Sequence, residues 1–243
     1  MLKAAERTRA FSLVEMLVSV LIIALLAMLA VPVVTTYRNS AHEAKCVANM
    51  RAIGGALTVA ATENDGRYPA LGYSAQSQLP TWAMSAAETM GISLGRYSQR
   101  TVFWCPSDRT ANTEQGIHMQ KNHVGHSSYA ANLDVIDWET GESAMGGPAR
   151  GGRRIGEIAR PSSMILLVED HHENNVISWA DHGGKTCHSG WTFEYTIPGA
   201  IKDKDPGKKG FHQGRNNWLF VDGHVESLTY EETLKPINRW TIN

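Results

Sequence analysis

The chain has 243 residues, of which 42% are hydrophobic and 19% are charged. This apolar fraction is sufficient for a packed core and excludes a wholly disordered chain, and the length fits one domain with an appendage or two small domains. Basic residues number 23 against 24 acidic ones, and the resulting net charge of −1 argues against a broadly basic nucleic-acid binder. Three cysteines exclude a disulfide-dense scaffold.

A long apolar segment follows a short basic start. Residues 1–10 carry three basic side chains and one acidic one, and residues 16–37 are 22 consecutive uncharged residues. As a helix this segment reaches roughly 33 Å, which matches the ~30 Å hydrocarbon thickness of a bilayer. A buried helix of a soluble protein and a cleaved secretory signal fit less well, because the segment is too long and lacks an Ala-x-Ala site. The basic flank predicts a cytoplasmic N-terminus, with the chain after Arg38 across the membrane.

Glu15 stands at the head of that segment, where a carboxylate at the lipid boundary is costly and suggests a function. Residues 9–18 have the sequence RAFSLVEMLV, which resembles the prepilin signature of type IV pilins and type II secretion pseudopilins. The resemblance implies that a membrane aspartyl peptidase, the prepilin peptidase, cuts between Ala10 and Phe11 and methylates the new amine. The family usually has Gly where this chain has Ala10, which is the smallest replacement for glycine.

The same resemblance implies how the filament is built. The new N-terminal ammonium of one subunit would pair with Glu15 of its neighbour in a fibre core of low dielectric constant. Pro32 falls where many family members have a proline that kinks or melts the helix, and proline removes one helical hydrogen bond.

Helical periodicity continues beyond the apolar segment. Apolar residues recur at steps of three or four from Ala41 to Ala60, which predicts a face that packs on a sheet, with Asn49 among the polar residues of the opposite face. Asn64-Asp65-Gly66 and then Pro69 predict the end of this helix. These features predict one helix over residues 11–63.

The middle of the chain predicts short elements. A helix is expected from Leu79 to Met90 and a glycine-rich loop over residues 139–160. Strands are expected at 101–104, 163–168 and 191–197.

The C-terminal region contains a hairpin pattern. Apolar residues 218–221 and the segment 224–228 flank Asp222-Gly223, which predicts a type I′ turn. His212, nine intervening residues and Asp222-Gly223 also resemble the C-terminal motif of a large group of long pseudopilin-like proteins. The alternative is purely structural, with a turn at Asp222-Gly223 and His212 hydrogen-bonded in a loop.

Metal ligands are concentrated in residues 171–188, which contain four of the ten histidines. His171, His182 and His188 are candidate zinc ligands, but helical ligand spacing is missing, and a polar loop with hydrogen-bonded histidines is the favoured explanation of the cluster. Calcium is a second candidate, because some major pseudopilins bind it in a C-terminal loop. Its candidate ligands, without EF-hand spacing, are Asp203, Asp205, Asn216 and Asn217.

The three cysteines allow three pairings or an all-free state. In an oxidising compartment Cys105–Cys187 is the favoured bridge, because Cys46 falls on the helix near the membrane.

Together these features predict an α+β, pilin-like fold, in which the outer half of a long N-terminal α-helix packs on an antiparallel β-sheet head. The expected layout is a leader (1–10), a transmembrane and assembly helix (11–37), its continuation on the head (38–63) and a periplasmic globular head (64–243). The resemblance implies a non-enzymatic subunit of a type IV pilus-like or type II secretion pseudopilus filament in the inner membrane. Its partners would be the peptidase, an inner-membrane assembly platform, lipid, and copies of itself or other pseudopilins.

Other functions are left open by the sequence. A membrane-tethered periplasmic binding or zinc-dependent module would use residues 171–188. A minor pilin for adhesion or DNA uptake is a weaker candidate, because the head has no basic surplus. No cofactor is required by the leading hypothesis, and nucleic acid is not an expected partner.

Overall fold

In the computed structural model, the described residues are 12–69, 82–92, 101–108, 125–132, 152–169, 171, 176–177, 186–187, 211–212, 214–234, 236–237 and 239. The chain divides into two compact units, Met1–Ala41 and His42–Asn243. The predicted strand at 191–197 and most of the predicted loop at 139–160 lie outside the described residues.

Helix α1 (Leu13–Glu63) is the long predicted helix, with 51 residues. It is continuous through Pro32, whose carbonyl accepts hydrogen bonds from the hydroxyls of Thr35 and Thr36 at 2.8 and 3.0 Å. It ends where Asp65 and Gly66 take left-handed conformations, with φ of 54° and 74°. Glycine favours that region of φ, so the predicted end of the helix is confirmed.

The side chains of α1 differ between its two halves. Residues 12–41 are all exposed in the isolated chain. From Cys46 onward, α1 buries one face in the head unit. The buried residues are Cys46, Asn49, Met50, Ile53, Gly54, Ala56, Leu57 and Ala61. Asn49, expected on the polar face, is therefore buried, and its amide donates to the Trp104 carbonyl at 2.9 Å.

The main sheet of the head has five strands. In chain order they are β2 (Tyr129–Asn132), β3 (Ile165–Glu169), β5 (Thr186–Cys187), β6 (Asn216–Phe220) and β7 (Val225–Leu228). Their spatial order is β5-β2-β3-β6-β7, and all neighbours are antiparallel except the pair β2 and β5. Strands β1 (Gly125–His126) and β4 (Val176–Ile177) form a separate antiparallel pair.

Both faces of the main sheet are covered. On one face Ala131, Leu167 and Leu219 belong to the same buried cluster as the inner face of α1. On the other face Ala130, Ile165, Val168, Trp218 and Phe220 form a second buried cluster. Successive residues of a strand point to opposite faces of the sheet. The short, fully buried strands therefore contribute residues to both clusters.

Two short α-helices and two 3-10 helices, Ile155–Glu157 and Pro161–Ser163, complete the described head. Helix α2 (Trp82–Thr89) lies within the predicted helix, and α3 is Tyr230–Leu234. The fold is a long N-terminal helix that contacts four antiparallel strands, which confirms the predicted pilin-like α+β class.

The predicted strand at 101–104 is wrong. Residues 101–108 form successive turns, with Trp104 N–H bonded to the Thr101 carbonyl at 3.1 Å and Asp108 N–H bonded to the Cys105 carbonyl at 2.9 Å. The apolar character of this segment reflects burial of Phe103, whose ring meets Trp82 edge-on at 6.2 Å. Burial and strand formation give the same pattern in so short a segment.

The predicted hairpin is confirmed as β6 and β7, but its turn is not type I′. Gly223 has a φ of 90°, whereas Asp222 does not have a positive φ. Gly223 N–H donates to the Phe220 carbonyl, and Phe220 N–H donates to the His224 carbonyl, each at 2.9 Å. This is a three-residue connection, Val221–Gly223, in which glycine takes the left-handed position after a type I turn.

Candidate functional site

Four buried side chains from distant parts of the sequence meet in the head. They are Cys46 on α1, Cys105 in the turn segment, Glu169 at the end of β3 and His212 ahead of β6. One ligand atom from each lies within 4.8 Å of all the others. We call these four residues the Cys-Glu-His cluster.

Cys46 and Cys105 form a disulfide, with their Cα atoms 5.1 Å apart. The predicted Cys105–Cys187 bridge is therefore wrong. The sequence argument placed Cys46 beside the membrane, but α1 carries it into the head core, where it is fully buried. Cys105 is fixed beside it, because its N–H donates to Ser128 Oγ at 3.0 Å. Cys187 lies in β5, opposite Asn132.

Glu169 is a fully buried carboxylate with several partners. Its Oε1 lies 2.8 Å from His212 Nε2 and accepts from the Asn217 amide at 3.2 Å. Its Oε2 accepts from Asn217 N–H at 2.8 Å. A buried charge persists only when it is paired and hydrogen-bonded, and Glu169 meets both conditions.

The environment of His212 favours its charged form. Burial disfavours the imidazolium, but the hydrogen bond and negative charge of Glu169, with a smaller contribution from Glu43, outweigh it and raise the pKa of His212. The backbone of His212 is also fixed, by reciprocal hydrogen bonds with Arg215 at 3.0 Å. Glu169 and His212 therefore act as a buried ion pair that joins β3 to the segment ahead of β6.

Polar groups around the Cys-Glu-His cluster are also ordered. Ser128 Oγ donates to Asp108 at 2.7 Å, and the Tyr129 hydroxyl donates to the Cys46 carbonyl at 3.5 Å. Burial, together with the nearby charge of Glu169, raises the pKa of Tyr129. The phenol is therefore neutral and able to donate this hydrogen bond.

The predicted zinc ligands are only partly described. His171 is buried, stacks on Phe211 with ring centroids 3.8 Å apart, and lies 6.4 Å from the His212 ring. His182 and His188 lie outside the described residues. Sequence reasoning did not find the Cys-Glu-His cluster; the available signal was a carboxylate, Glu169, directly after a run of buried apolar residues.

The calcium candidates Asp203 and Asp205 also lie outside the described residues. Asn216 and Asn217 are buried in β6 and use their amides within the fold. Asn216 Oδ1 accepts from Phe211 N–H at 2.9 Å, and Asn217 donates to Glu169.

The two parts of the C-terminal motif occupy different environments. His212 is buried in the cluster, whereas Asp222 is exposed in the hairpin turn and bonds His224. Gly223 supplies the positive φ that this turn requires. The structural interpretation of the turn is confirmed, and His212 is held by Glu169 as well as by its own loop.

The processing positions Ala10 and Phe11 lie outside the described residues. Glu15 is exposed in the first turn of α1, where its N–H bonds the Ser12 carbonyl at 3.0 Å and its carbonyl accepts from Ser19 Oγ at 2.7 Å. Within the described residues, α1 is long and apolar enough to cross a membrane, with a mean hydropathy of 3.0 over its most apolar window.

Residues 7–31 match the model of the prokaryotic N-terminal methylation motif. The chain carries a pilin-type processing signal. This motif, shared by type IV pilins and pseudopilins, includes Ala10, Phe11 and Glu15 and implies processing by a prepilin peptidase. Pilin-like proteins that carry this motif are generally structural and non-enzymatic. No curated protein and no solved structure matched the chain.

Proposed function

We propose that this chain is a structural subunit of a type IV pilus-like or type II secretion pseudopilus filament, assembled through its N-terminal helix. The observation that carries the proposal is the exposed apolar half of α1, most of which lies within the methylation motif at residues 7–31. Its large side chains are left in contact with solvent, as in Leu13 (78% exposed) and Leu29 (71%). Exposing apolar surface to water costs about 25 cal/mol per Å². This half of the helix therefore requires lipid or neighbouring helices around it.

The proposed location is the inner membrane, with the leader 1–10 in the cytoplasm, residues 11–37 in the bilayer and the head from 64 onward in the periplasm. Residues 38–63 continue the helix on the head. The basic leader supports this orientation. The partners are the prepilin peptidase, the inner-membrane assembly platform, lipid, and copies of this chain or other pseudopilins.

Glu15 is proposed to set the axial register of subunits. Within the described part of the chain, the carboxylate of Glu15 forms no ion pair. After cleavage, the amine of Phe11 on a neighbouring subunit would supply a cation. The attraction is strong where water is excluded.

Cleavage is tested by mass spectrometry of membrane-extracted protein. The expected product begins at Phe11 and carries one added methyl group. Ala10→Gly should be cleaved at least as completely as the natural chain, whereas Ala10→Leu should block cleavage because the larger side chain replaces a small one at the scissile bond. A chain isolated from cells with its first ten residues intact would contradict the proposal.

Assembly is tested by the substitution Glu15→Ala. This variant should insert and be cleaved normally, but it should be depleted from sheared filaments, because the neighbouring amine loses its partner. Glu63→Ala, an exposed carboxylate at the other end of α1, is the matched control and should assemble normally. Equal incorporation of Glu15→Ala and the natural chain would remove the register argument.

A further inference from the structure

We propose that Cys46, Cys105, Glu169 and His212 bind one zinc ion when the Cys46–Cys105 disulfide is reduced, so that disulfide and metal are alternative states of the same site. The proposal is independent of the filament function. It rests on the four buried residues of the Cys-Glu-His cluster and their mutual distances.

The donor set suits zinc. Two thiolates, one imidazole nitrogen and one carboxylate oxygen are all zinc ligands, and four ligands complete a closed structural site. Each of the four residues is buried, so the site would exclude water as structural zinc sites do. The ligands come from four separate segments, which a bound ion would hold together.

The distances also suit a tetrahedral ion. With metal–ligand bonds of about 2.0–2.3 Å, the ligand atoms of such a site lie roughly 3.3–3.8 Å apart. Cys105 Sγ lies 3.7 Å from His212 Nε2 and 3.8 Å from Glu169 Oε1. The 2.8 Å contact between Glu169 and His212 must widen by about half an ångström to fit the same geometry.

The carboxylate of Glu169 and the sulfur-bearing residue Cys105 are already positioned by their surroundings. Asn217 N–H donates a hydrogen bond to Glu169 Oε2, and this orients Glu169 Oε1 toward His212 and Cys105. Ser128 Oγ holds the backbone of Cys105. Ordered partners of this kind orient the ligands of metal sites.

The two states exclude one another because sulfur atoms that are bonded to each other cannot both serve as thiolate ligands. A dithiol reductant would supply two electrons and two protons, converting the disulfide into two thiols while the reductant becomes a disulfide. Zinc would then displace the two thiol protons and the Nε2 proton of His212, which all go to water, and bind both thiolates and the imidazole nitrogen. Reoxidation by an external disulfide would restore the bridge and release the ion, while the oxidant accepts the two electrons of the thiolates and two protons from water and becomes two thiols.

The test uses the full-length chain in detergent, divided into an oxidised and a reduced sample. Both are desalted without oxygen, given zinc alone, desalted again and analysed for metal. We expect about one zinc per reduced chain and less than about a tenth of that per oxidised chain. Equal zinc in both samples, or none in the reduced one, would overturn the proposal without any variant being needed.

Variants identify the ligands. Cobalt in place of zinc should give a thiolate-to-cobalt absorption band in the reduced chain. His212→Ala should weaken binding at least tenfold, to about the extent known for disturbed metal sites. His212→Cys should retain binding with a stronger thiolate band, which separates loss of a ligand from loss of folding.

Matched controls lie outside the Cys-Glu-His cluster. Cys187→Ser should bind metal like the natural chain, and so should the double variant His182→Ala/His188→Ala. Metal that is lost in these controls but kept in Cys46→Ser would assign it to the histidine-rich region and overturn the proposal. If the reduced chain binds neither zinc nor cobalt, Glu169 and His212 form only an ion pair and the proposal is overturned.

Discussion

The two halves of α1 form one helix but depend on different surroundings. From residue 12 to residue 41 every side chain is exposed in the isolated chain, whereas from Cys46 onward one face is buried in the head. Within the first half, residues 16–37 carry no charge and present apolar side chains on all sides, as expected for a helix surrounded by lipid. The second half is apolar on one face, with Gly54 and Asn49 placed to suit particular neighbours. Substitutions in the two halves should therefore affect different measurements.

All seven tryptophans follow residue 81, so tryptophan fluorescence during urea unfolding in detergent reports the stability of the head. The largest effect is expected from the disulfide, which closes a sequence separation of 59 residues. The double variant Cys46→Ala/Cys105→Ala should lower the free energy of unfolding by about 4 kcal/mol, because a loop of that length is freed in the unfolded chain.

Cys187→Ala is the control for that experiment, and it should leave the Cys46–Cys105 bridge intact. Peptide mapping under non-reducing conditions reports the pairing directly. A Cys105–Cys187 peptide in the natural chain would contradict the tertiary arrangement described here.

Leucine-to-alanine substitutions compare the two halves most directly. Leu57 is fully buried in the head core, whereas Leu25 is 56% exposed in the apolar half. Leu57→Ala should cost about 3 kcal/mol of head stability, because it leaves a cavity in a packed core, and Leu25→Ala should leave the same free energy unchanged. If both variants destabilise the head equally, the division of α1 into two environments is wrong.

The adjacent glycines of α1 give a finer comparison. A Cβ at Gly54 would lie 2.6 Å from Leu219 Cδ2, while nothing lies within 4 Å of a Cβ at Gly55. Gly55→Ala should stabilise the head by up to about 1 kcal/mol through helix propensity. Gly54→Ala should be about 1–3 kcal/mol less stable than Gly55→Ala, because the buried Leu219 must move. Equal urea midpoints for the two variants would show that Leu219 moves freely.

The smallest effect is expected from pH. Because Glu169 raises the pKa of His212 in the folded oxidised chain, the stabilisation is fully present below the ordinary histidine pKa of about 6.5. This contribution of the Glu169–His212 pair to the free energy of unfolding is lost as pH rises through the raised pKa of His212 in the folded chain. Urea unfolding at pH values from 6 upward should show this decline in the natural chain and in His42→Gln, but not in His212→Gln. A decline of the same size in His212→Gln would assign it to other groups.

Local patterns predicted what depends on local physics. The lipid-length apolar segment, the end of α1 at Asp65-Gly66 and the hairpin of β6 and β7 were all predicted, because each is set by neighbours in the chain. The turn type was missed because Asp-Gly suits more than one hairpin connection, and hydrogen-bond register selects among them. The strand expected at 101–104 failed because a short buried turn has the same composition as a strand.

By itself, then, the sequence determined the apolar N-terminal helix, the methylation motif and the class of fold, since hydropathy over a bilayer length and a contiguous signature need no knowledge of tertiary contacts. Only the tertiary structure decided that Cys105 pairs with Cys46, that Asn49 is buried, and that Glu169 meets His212. These residues are separated by tens of positions along the chain. They come together only when α1 packs on the sheet, so a local sequence pattern cannot predict these contacts.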